Sequence, residues 1–499
     1  MAEQHRLRSC KDKPRVFVVS DISNEPDDAE SFVRFLLYGN EFDIQGLVAC
    51  TSTWMRKHVH PEDMEHIVEA YAKVVENLNA HVHPDNQYPS ASYLQSCIKS
   101  GPACYGKEAL EPNVPLSDGA ALLIDRLDAS SLPLWVLSWG GANVLAQALQ
   151  HVQRTRSEAE SAQLRAKLRV YTISDQDDTG LWIRVSFPDI FYICSNHGWM
   201  EYGMAAWVGI SGDILMPMDE GGPDPTKITK DWLKHNIQIG PLGQAYPNYA
   251  FIMEGDTPTF LYLIQNGLGS PENPQWGSWG GRYVSTDIGG AAKHYSDARD
   301  KVVGHNGRTY VSNQATIWRW RDAFQSDFAA RMQWTLHPNR SQANHAPVVS
   351  VNQSTSGPEP YLIEAEAGSE ITLDASRSYD PDGDELTYRW FQYKEPTTAH
   401  SQVHWPKVPD IIFDPVDTEG TLTSAVVKVQ LPPPEICAVE ILTGTALEKG
   451  QILHLILEVT DNGTPRLTTY KRVVVQVTNR QRRGASGQTH ETITAALGH

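Results

Sequence analysis

One short acidic turn constrains this chain more than any other stretch. Residues 21–28 read Asp-Ile-Ser-Asn-Glu-Pro-Asp-Asp, so four carboxylates fall within eight residues. A buried-strand pattern precedes the turn at residues 16–19, and apolar side chains at helical spacing follow it at residues 29–38. Pro26 is well placed to open that helix. The stretch therefore predicts a strand, a tight acidic loop and a helix.

Carboxylates held this close together repel one another. At about 4 Å, each like-charge pair costs roughly 1 kcal/mol in water and about 4 kcal/mol in a partly buried site. A folded protein relieves this with a bound cation, with protonation, or by directing the side chains into solvent. In the last case the turn is a polar loop whose acidic groups suit a helix N-terminus. Local composition leaves these alternatives open.

Length and charge limit the class of protein. A chain of 499 residues predicts more than one domain. We expect a flexible N-terminus at 1–13, an α/β domain at 14–338, an all-β domain at 345–478 and a disordered tail at 479–499. The net charge of −18 argues against nucleic acid as a partner.

Export and membrane signals are not visible in the sequence. An apolar run of about 20 residues, which a membrane span needs, is missing, and the N-terminus lacks the apolar stretch of a secretory signal. We therefore predict a cytoplasmic protein that does not bind a membrane. Cys97 and Cys104 are close enough in sequence to pair, but free thiols are the default without an export signal.

Strand patterns alternate with helix patterns through the first part of the chain. Strands are expected at 16–19, 42–50, 134–137, 168–173 and 189–194, and helices at 29–38, 61–78, 120–127 and 143–152. Residues 80–115 predict a long irregular connection, and residues 308–334 a helical end to the domain. The alternation predicts a mostly parallel sheet flanked by helices, which binds ligands beyond the carboxyl ends of its strands.

Polar or aromatic clusters follow several of these strands, at 51–54, 138–143, 175–178 and 196–197. Their convergence with the acidic turn favours a functional site. A further stretch at 276–283, Trp-Gly-Ser-Trp-Gly-Gly-Arg-Tyr, suits a surface that meets a flat ligand such as a sugar or a base. The alternative is a tight loop whose Trp side chains fill the core.

The last part of the chain has a different pattern. Short alternating strands are expected at 346–351, 371–376, 386–390, 452–460 and 470–477, which is typical of an immunoglobulin-like β-sandwich. The turn at 380–385, Asp-Pro-Asp-Gly-Asp-Glu, can bind Ca²⁺ weakly. More often, such a turn uses Asp and Gly only for their backbone tolerance.

The first domain resembles the nucleoside hydrolase superfamily, whose members carry an Asp-x-Asp-x-Gly-x-Asp-Asp turn after the first strand. More closely, it resembles the nucleoside-hydrolase-like family described as cellulose-binding. That family shares Asp-Ile-x-Asn-Glu-Pro-Asp-Asp, Thr-Ser-Thr-Trp, Ser-Trp-Gly-Gly, Gln-Asp-Asp-Thr-Gly, Glu-Gly-Asp-Thr-Pro and Trp-Gly-Ser-Trp-Gly-Gly-Arg-Tyr, which begin here at Asp21, Thr51, Ser138, Gln176, Glu254 and Trp276. The match covers about residues 14–335, and the same family carries a C-terminal β-sandwich.

The resemblance implies a Ca²⁺ ion that binds ribose hydroxyls at the pocket floor. A carboxylate would deprotonate a water that attacks the anomeric carbon through an oxocarbenium-like transition state. The implied metal ligands are Asp21, Asp28, Asp256 and the backbone carbonyl of Ala142. Hard oxygen ligands of this kind suit Ca²⁺. Superfamily relatives are often oligomers, so a homodimer is expected.

One position departs from the superfamily pattern. Ser23 stands where the calcium-bound general base is expected, and a serine without a basic partner cannot deprotonate water near neutral pH. Either Asp21 or Glu25 takes the catalytic role, with Asp21 preferred because it directly follows the strand, or the chemistry is lost. The implied substrate contacts are Asn24, Asp27, Trp54, Asn143, Asp178, Trp182, Arg184, Trp279 and Arg282.

Three interpretations are compatible with these residues. The first is a metal-dependent hydrolase of an N- or O-glycosidic bond of ribosyl or furanosyl type, acting on a small molecule or carbohydrate. The second is a carbohydrate-binding protein that keeps the hydrolase fold without the reaction. The third is a pocket recruited for tailoring a small metabolite. The dense carboxylates favour the first interpretation, and Ser23 favours the second.

Overall fold

The computed structural model describes residues 4–10, 12–197, 201–354, 357–399, 408–416, 424–440 and 442–484. The chain divides into two compact units. The first contains Met1–His5, Ser9–Ile264 and Gly277–Ala343, and the second contains Arg6–Arg8, Gln265–Trp276 and Asn344–His499. The predicted domain limits stay predictions, and the expected disorder of residues 485–499 lies outside the described residues.

The first unit is built on an eight-stranded sheet with the order β3-β2-β1-β4-β5-β6-β8-β7. Its neighbouring strands run parallel, except that β7 runs antiparallel to β8. A separate antiparallel pair joins β9 and β10. The strands are β1 (Arg15–Ser20), β2 (Asp43–Ala49), β3 (Ile98–Ser100), β4 (Leu134–Ser138), β5 (Leu168–Thr172), β6 (Phe191–Cys194), β7 (Tyr283–Ser285), β8 (His294–Asp297), β9 (Asp300–Val303) and β10 (Thr309–Ser312).

The helices of this unit connect the strands and cover the sheet. They are α1 (Pro26–Leu37), α2 (Pro61–Ala72), α3 (Val75–Ala80), α4 (Ala91–Cys97), α5 (Asp118–Asp128), α6 (Asn143–Thr155), α7 (Glu158–Arg165), α8 (Thr179–Ser186), α9 (Lys230–Asn236), α10 (Gly240–Gly243), α11 (Pro258–Leu261), α12 (Ala315–Trp318) and α13 (Arg321–Trp334). The mostly parallel sheet with flanking helices confirms the predicted α/β class. Among the described residues, no helix is long and apolar enough to cross a membrane.

Burial explains why the central strands form. Every residue of β1 and of β4 is buried, as expected for strands of a parallel sheet covered on both faces. Val136 and Val170 of the sheet pack in one hydrophobic cluster with Leu123 of α5 and Leu145 of α6. All six cysteines lie among the described residues, and none of them forms a disulfide.

Several local predictions were wrong. The helix expected at 61–78 is divided into α2 and α3, and the connection expected to be irregular at 80–115 contains α4 and β3. Helix α4 has only seven residues, too few for an apolar period to stand out, although Ser90 caps it by accepting the Tyr93 N–H. Strand β10 occupies part of the region 308–334 that was expected to be helical.

The second unit is rich in β-structure. Its strands are β11 (Tyr361–Glu366), β12 (Glu370–Asp374), β13 (Thr387–Gln392), β14 (Phe413–Pro415), β15 (Val426–Gln430), β16 (Lys449–Thr460) and β17 (Thr468–Thr478), and its helices are α14 (Lys394–Ala399) and α15 (Pro434–Cys437). One sheet has the order β11-β17-β16-β13 and the other β12-β15-β14. Buried side chains from both sheets form one core. The strand expected at 346–351 is reduced to an isolated bridge at Val348. The immunoglobulin-like assignment stays a prediction.

Candidate functional site

A cavity of about 340 Å³ opens at the carboxyl ends of neighbouring strands in the first unit. Chain segments that follow β1, β2, β4 and β5 form one side of it, and residues from 202–216 and 250–256 form the rest. This is the edge at which parallel sheets bind ligands. The lining residues are Asp21, Asn24, Glu25, Asp27, Asp28, Trp54, Trp139, Ile173, Ser174, Gln176, Tyr202, Trp207, Leu215, Met216, Ala250, Phe251, Ile252 and Asp256.

The floor of the cavity is acidic. Strand β1 ends at Ser20, and the chain turns so that α1 begins at Pro26 with two aspartates in its first turn. One carboxylate oxygen each from Asp27, Asp28 and Asp256 lie within 4.8 Å of one another. Asp28 and Asp256 are 3% and 1% exposed, and Asp21 is 2% exposed. A remote loop thus brings its carboxylate against the acidic turn.

Burial disfavours the charged form of these groups. Burial raises the pKa of Asp21 to about 6, and burial together with the charges of Glu25 and Asp21 raises the pKa of Asp27 to about 8. Burial and the neighbouring carboxylates also raise the pKa of Asp28 and of Asp256 well above the usual range. The site therefore favours protons or a cation.

Few protein groups compensate this charge. Ser20 Oγ donates a hydrogen bond to Asp28, and the Ser52 hydroxyl bonds to Asp21. Within the described part of the chain, no donor reaches Asp21 Oδ2 or Asp256 Oδ2, although both atoms are buried. Burying a carboxylate without a partner is costly, and buried charges in proteins are normally paired or bound to metal.

The donor set fits a hard divalent cation. Ca²⁺ binds six to eight oxygens at about 2.3–2.6 Å, so oxygens on opposite sides of the ion lie about 5 Å apart or less. The trio of Asp27, Asp28 and Asp256 satisfies this limit. Asp27, predicted as a sugar contact, thus joins the group that can hold the ion. Asp21 lines the same cavity but is not part of the trio.

A buried network holds Asp256 in place. Glu254 adopts a left-handed backbone conformation with φ of +57°, and its N–H donates to Glu30 Oε2 at 2.9 Å. Its carboxylate accepts from Arg34 Nη1 at 2.6 Å and from the Tyr246 hydroxyl at 2.7 Å. Arg34 and Glu254 are fully buried. The network connects α1 directly to the segment that carries Asp256.

The part of the chain that forms the cavity matches a known family. Residues 15–283 match the family model described as cellulose-binding Sde182, nucleoside hydrolase-like domain, which is more than half of the chain. The chain belongs to this family. Residues 370–477 match a second model, described as cellulose-binding protein Sde0182, C-terminal domain. The resemblance that the sequence motifs indicated is confirmed.

A solved structure supports this membership. The chain is 32% identical to a nucleoside hydrolase-related hypothetical protein from Saccharophagus degradans that is associated with carbohydrate metabolism, with 93% of this chain and all of that chain covered and a TM-score of 0.73. The inosine-uridine preferring nucleoside hydrolase from Bacillus anthracis is 13% identical, with 65% of this chain and 100% of that chain covered and a TM-score of 0.33. No protein with a curated description matches the chain.

Ser23, where this member of the Sde182 family departs from the superfamily's acidic pattern, does not line the cavity. Its side chain is exposed and its hydroxyl donates to Asp63 Oδ2. Its φ of +82° is unusual for a residue with a side chain. The predicted catalytic residues Asp21 and Glu25 both line the cavity.

The structure brings Asn24 and Trp54 to the cavity but places other predicted contacts elsewhere. The Ala142 carbonyl accepts the Ala146 N–H at 3.0 Å, and Asn143 Nδ2 donates to Thr51 Oγ1 at 2.9 Å. Asp178 Oδ1 accepts the backbone N–H of Lys107 at 2.8 Å. Ala142, Asn143 and Asp178 are outside the cavity lining.

The remaining predicted aromatic and arginine contacts also lie away from the cavity. Trp182 packs edge-to-face on Phe187, and Arg184 forms two hydrogen bonds with Asp175. Trp279 is 2% exposed and packs near Phe324, and Arg282 pairs with Asp300 at 2.7 Å. For the stretch at 276–283, the alternative interpretation is a tight loop whose side chains fill the core. The positions of Trp279 and Arg282 agree with this alternative.

Sequence reasoning missed several lining residues. Trp139 falls in the cluster at 138–143, where convergence at the strand ends was a usable signal. Tyr202, Trp207, Leu215 and Phe251 come from a region without a clear period. Residues 202–214 form short 3₁₀ turns, and Phe251 lies outside any helix or strand, so no hydrophobic pattern indicates which side chains face the cavity.

Proposed function

We propose that this chain is a metal-dependent hydrolase of a glycosidic bond, with its active site in the acidic cavity of the first unit. The observation that carries the proposal is the group of four buried aspartates at the floor of an open cavity, with raised pKa values and no basic partner among the described residues. A purely structural loop gains nothing from burying uncompensated carboxylates.

The proposed roles follow from position. Asp27, Asp28 and Asp256 would hold Ca²⁺, which when bound offsets their charge and orients the hydroxyls of a sugar. Asp21 accepts a proton from the attacking water, because Asp21 lines the cavity, one of its oxygens has no donor among the described residues, and its pKa of about 6 is close to neutral pH. The water oxygen then bonds to the anomeric carbon as the glycosidic bond breaks, and the departing group takes the bonding electrons and gains a proton from solvent.

Glu25 is the alternative general base. It lines the cavity, and burial raises the pKa of its half-buried carboxyl. It precedes α1 as the N-cap residue without making a side-chain capping bond, so its carboxylate is available to a ligand. Comparison of Asp21 and Glu25 variants distinguishes the two assignments.

The mouth of the cavity favours a substrate with a flat apolar face. Trp54 and Phe251 line it and are 54% and 62% exposed, and Leu215 is 48% exposed. Large aromatic side chains in this position offer area for stacking on a sugar ring or an aromatic leaving group. We propose a ribosyl or furanosyl substrate whose attached group rests on these side chains.

Carbohydrate binding without hydrolysis is the second candidate. Two observations favour it: Ser23 replaces the expected acidic side chain and turns outward, and the family is described as cellulose-binding. In that case the cavity would recognise a sugar, and Trp54 would contribute by stacking. A parent chain that is retained on cellulose without hydrolysing any glycoside, and a Trp54→Ala variant that loses this retention, would favour this candidate.

The deciding experiment is calorimetric titration of the metal-stripped chain with Ca²⁺, followed by a screen of nucleosides and furanosides. We expect a tight site that is lost in Asp28→Ala and in Asp256→Ala, and Ca²⁺-dependent release of a sugar. Asp125→Ala, an exposed acidic residue on α5, is the matched control and should bind as the parent does. Equal Ca²⁺ binding by the parent and both pocket variants would reject the metal site.

A further inference from the structure

The second unit contains a pair of buried aspartates that the proposed reaction does not use. Asp380 begins the turn Asp-Pro-Asp-Gly-Asp and is 4% exposed. Its Oδ1 accepts the backbone N–H groups of Asp382 at 2.8 Å, Gly383 at 3.0 Å and Asp384 at 3.1 Å. These bonds fix the carboxylate within its own turn and leave its other oxygen, Oδ2, for another partner.

Asp461 repeats this arrangement directly after β16. It is 2% exposed, and its Oδ1 accepts Asn344 Nδ2, the Gly463 N–H and the Leu467 N–H, each at 3.0 Å. One oxygen is again saturated by donors from its own loop and from a second segment. The other oxygen is Oδ2.

Both Oδ2 atoms are buried and lack a donor. Across the described residues, no hydrogen-bond partner reaches Asp380 Oδ2 or Asp461 Oδ2. The charge of Asp380 also acts on Asp461, since burial and then this charge raise the pKa of Asp461 to about 6. Backbone tolerance alone accounts for the Asp-Gly turn, but it does not account for two buried carboxylate oxygens without partners.

We propose that Asp380 and Asp461 form a second divalent-cation site, for Ca²⁺, in the β-rich unit. Carboxylate oxygens are the hard ligands that Ca²⁺ prefers, and its flexible coordination lets water and main-chain carbonyls supply the remaining ligands. Asp384 adds a third negative charge close to Asp380. With few charged ligands, we expect a dissociation constant of about 10⁻⁴–10⁻³ M, as in extracellular calcium modules.

The ion would join segments that are far apart in the sequence. Asn344 already connects the start of the long C-terminal part of this unit to the loop after β16, because its Nδ2 also donates to the Pro465 carbonyl at 2.8 Å. The neighbouring His345 N–H donates to Asp382 Oδ2 at 2.8 Å. A cation between Asp380 and Asp461 would complete this connection by joining the turn directly to the loop.

The test uses the full chain with the cavity site removed by Asp28→Ala and Asp256→Ala. Calorimetric titration with CaCl₂ should then show a weak site, and adding Asp461→Asn or Asp380→Asn should remove it. Each Asn keeps an acceptor oxygen for the existing loop bonds. Asp414→Asn, an exposed acidic residue on β14, is the control and should leave the site intact.

Thermal unfolding provides a second readout that a folding defect cannot imitate. In the cavity-disabled background, excess Ca²⁺ over EGTA should raise the unfolding temperature, and Asp461→Asn should abolish the response. In EGTA the Asn variant should unfold no earlier than its parent background, because a buried negative charge is removed. A cavity-disabled chain that neither binds nor responds to Ca²⁺, or a response that survives both Asn variants, overturns the proposal. Neither result affects the cavity site.

Discussion

Asp21 is the residue on which the hydrolase proposal depends most closely. It follows the last residue of β1, lines the cavity and keeps one oxygen without a donor among the described residues. The backbone of Gly140 packs against it so closely that an added Cβ would lie 2.7 Å from Asp21 Oδ1. A side chain larger than glycine at 140 would therefore displace the proposed base.

Replacing Asp21 with Asn tests its role as a base while preserving shape. We expect kcat to fall about 10²–10⁴-fold, the range for loss of a general base, with little change in Ca²⁺ affinity. Steady-state kinetics on the best glycoside of the screen measure the effect. Glu25→Gln is the matched variant, and a larger loss there than in Asp21→Asn would move the role to Glu25.

An acidic side chain at position 23, unlike the substitutions at Asp21 and Glu25, is expected to leave the activity unchanged. Because Ser23 is exposed and faces Asp63, restoring an acidic side chain with Ser23→Asp should neither tighten Ca²⁺ binding nor raise kcat. It would instead place two carboxylates side by side at the surface. A gain in Ca²⁺ affinity measured by calorimetry would show that the turn can rearrange to bring residue 23 into the cavity.

At the scale of elements, α1 and α13 support the cavity through Arg34. Its guanidinium pairs with Glu254, donates to the Phe324 carbonyl at 2.7 Å and to Gln325 Oε1 at 2.8 Å. It also lies over the Phe328 ring, 4.4 Å from its centre. One buried side chain therefore fixes α1, α13 and the segment that carries Asp256 relative to one another.

Arg34→Met should destabilise the protein by about 3–5 kcal/mol, because it leaves Glu254 buried without its cationic partner. Chemical denaturation followed by tryptophan fluorescence measures the loss. Adding Glu254→Gln removes the unpaired charge and should recover part of the stability. If the double variant is no more stable than Arg34→Met alone, the charge of Glu254 is not the source of the loss.

At the scale of the whole molecule, the buried carboxylates make stability depend on pH. An unfolded Asp titrates near pH 3.9, whereas the pKa is about 6 for Asp21 and about 8 for Asp27 in the fold. Above about pH 4 the folded state therefore binds more protons than the unfolded state. The stability that protonation provides is complete below about pH 4 and is lost as the pH rises to about 8.

We therefore expect the unfolding temperature of the metal-stripped protein to fall between about pH 5 and pH 8. Added Ca²⁺ should reverse most of this fall near pH 8. Differential scanning calorimetry across this range measures the change. Asp27→Asn removes the carboxyl with the higher of the two pKa values, so the unfolding temperature of this variant should fall less as the pH rises. A metal-stripped parent and an Asp27→Asn variant with the same pH profile would contradict this account.

Much of the architecture could be read from local pattern. The strand–turn–helix at β1 and α1 was predictable because an apolar run, an acidic loop and Pro26 are adjacent in the sequence. The short elements α4 and β3 were not, since each is too brief to display a period. Strand β11 pairs parallel with β17, a long-range partner that no local signal identifies.

The sequence by itself determined the parallel α/β class, the family motifs and the acidic turn, because each depends on residues that are close neighbours in the chain. Only the tertiary structure decided which distant residues meet. It brought Asp256 and Phe251 to the cavity and turned Trp279 and Arg282 into the protein interior. It also decided the electrostatics, because burial by surrounding segments, and not the spacing of the aspartates, is the largest cause of their raised pKa values.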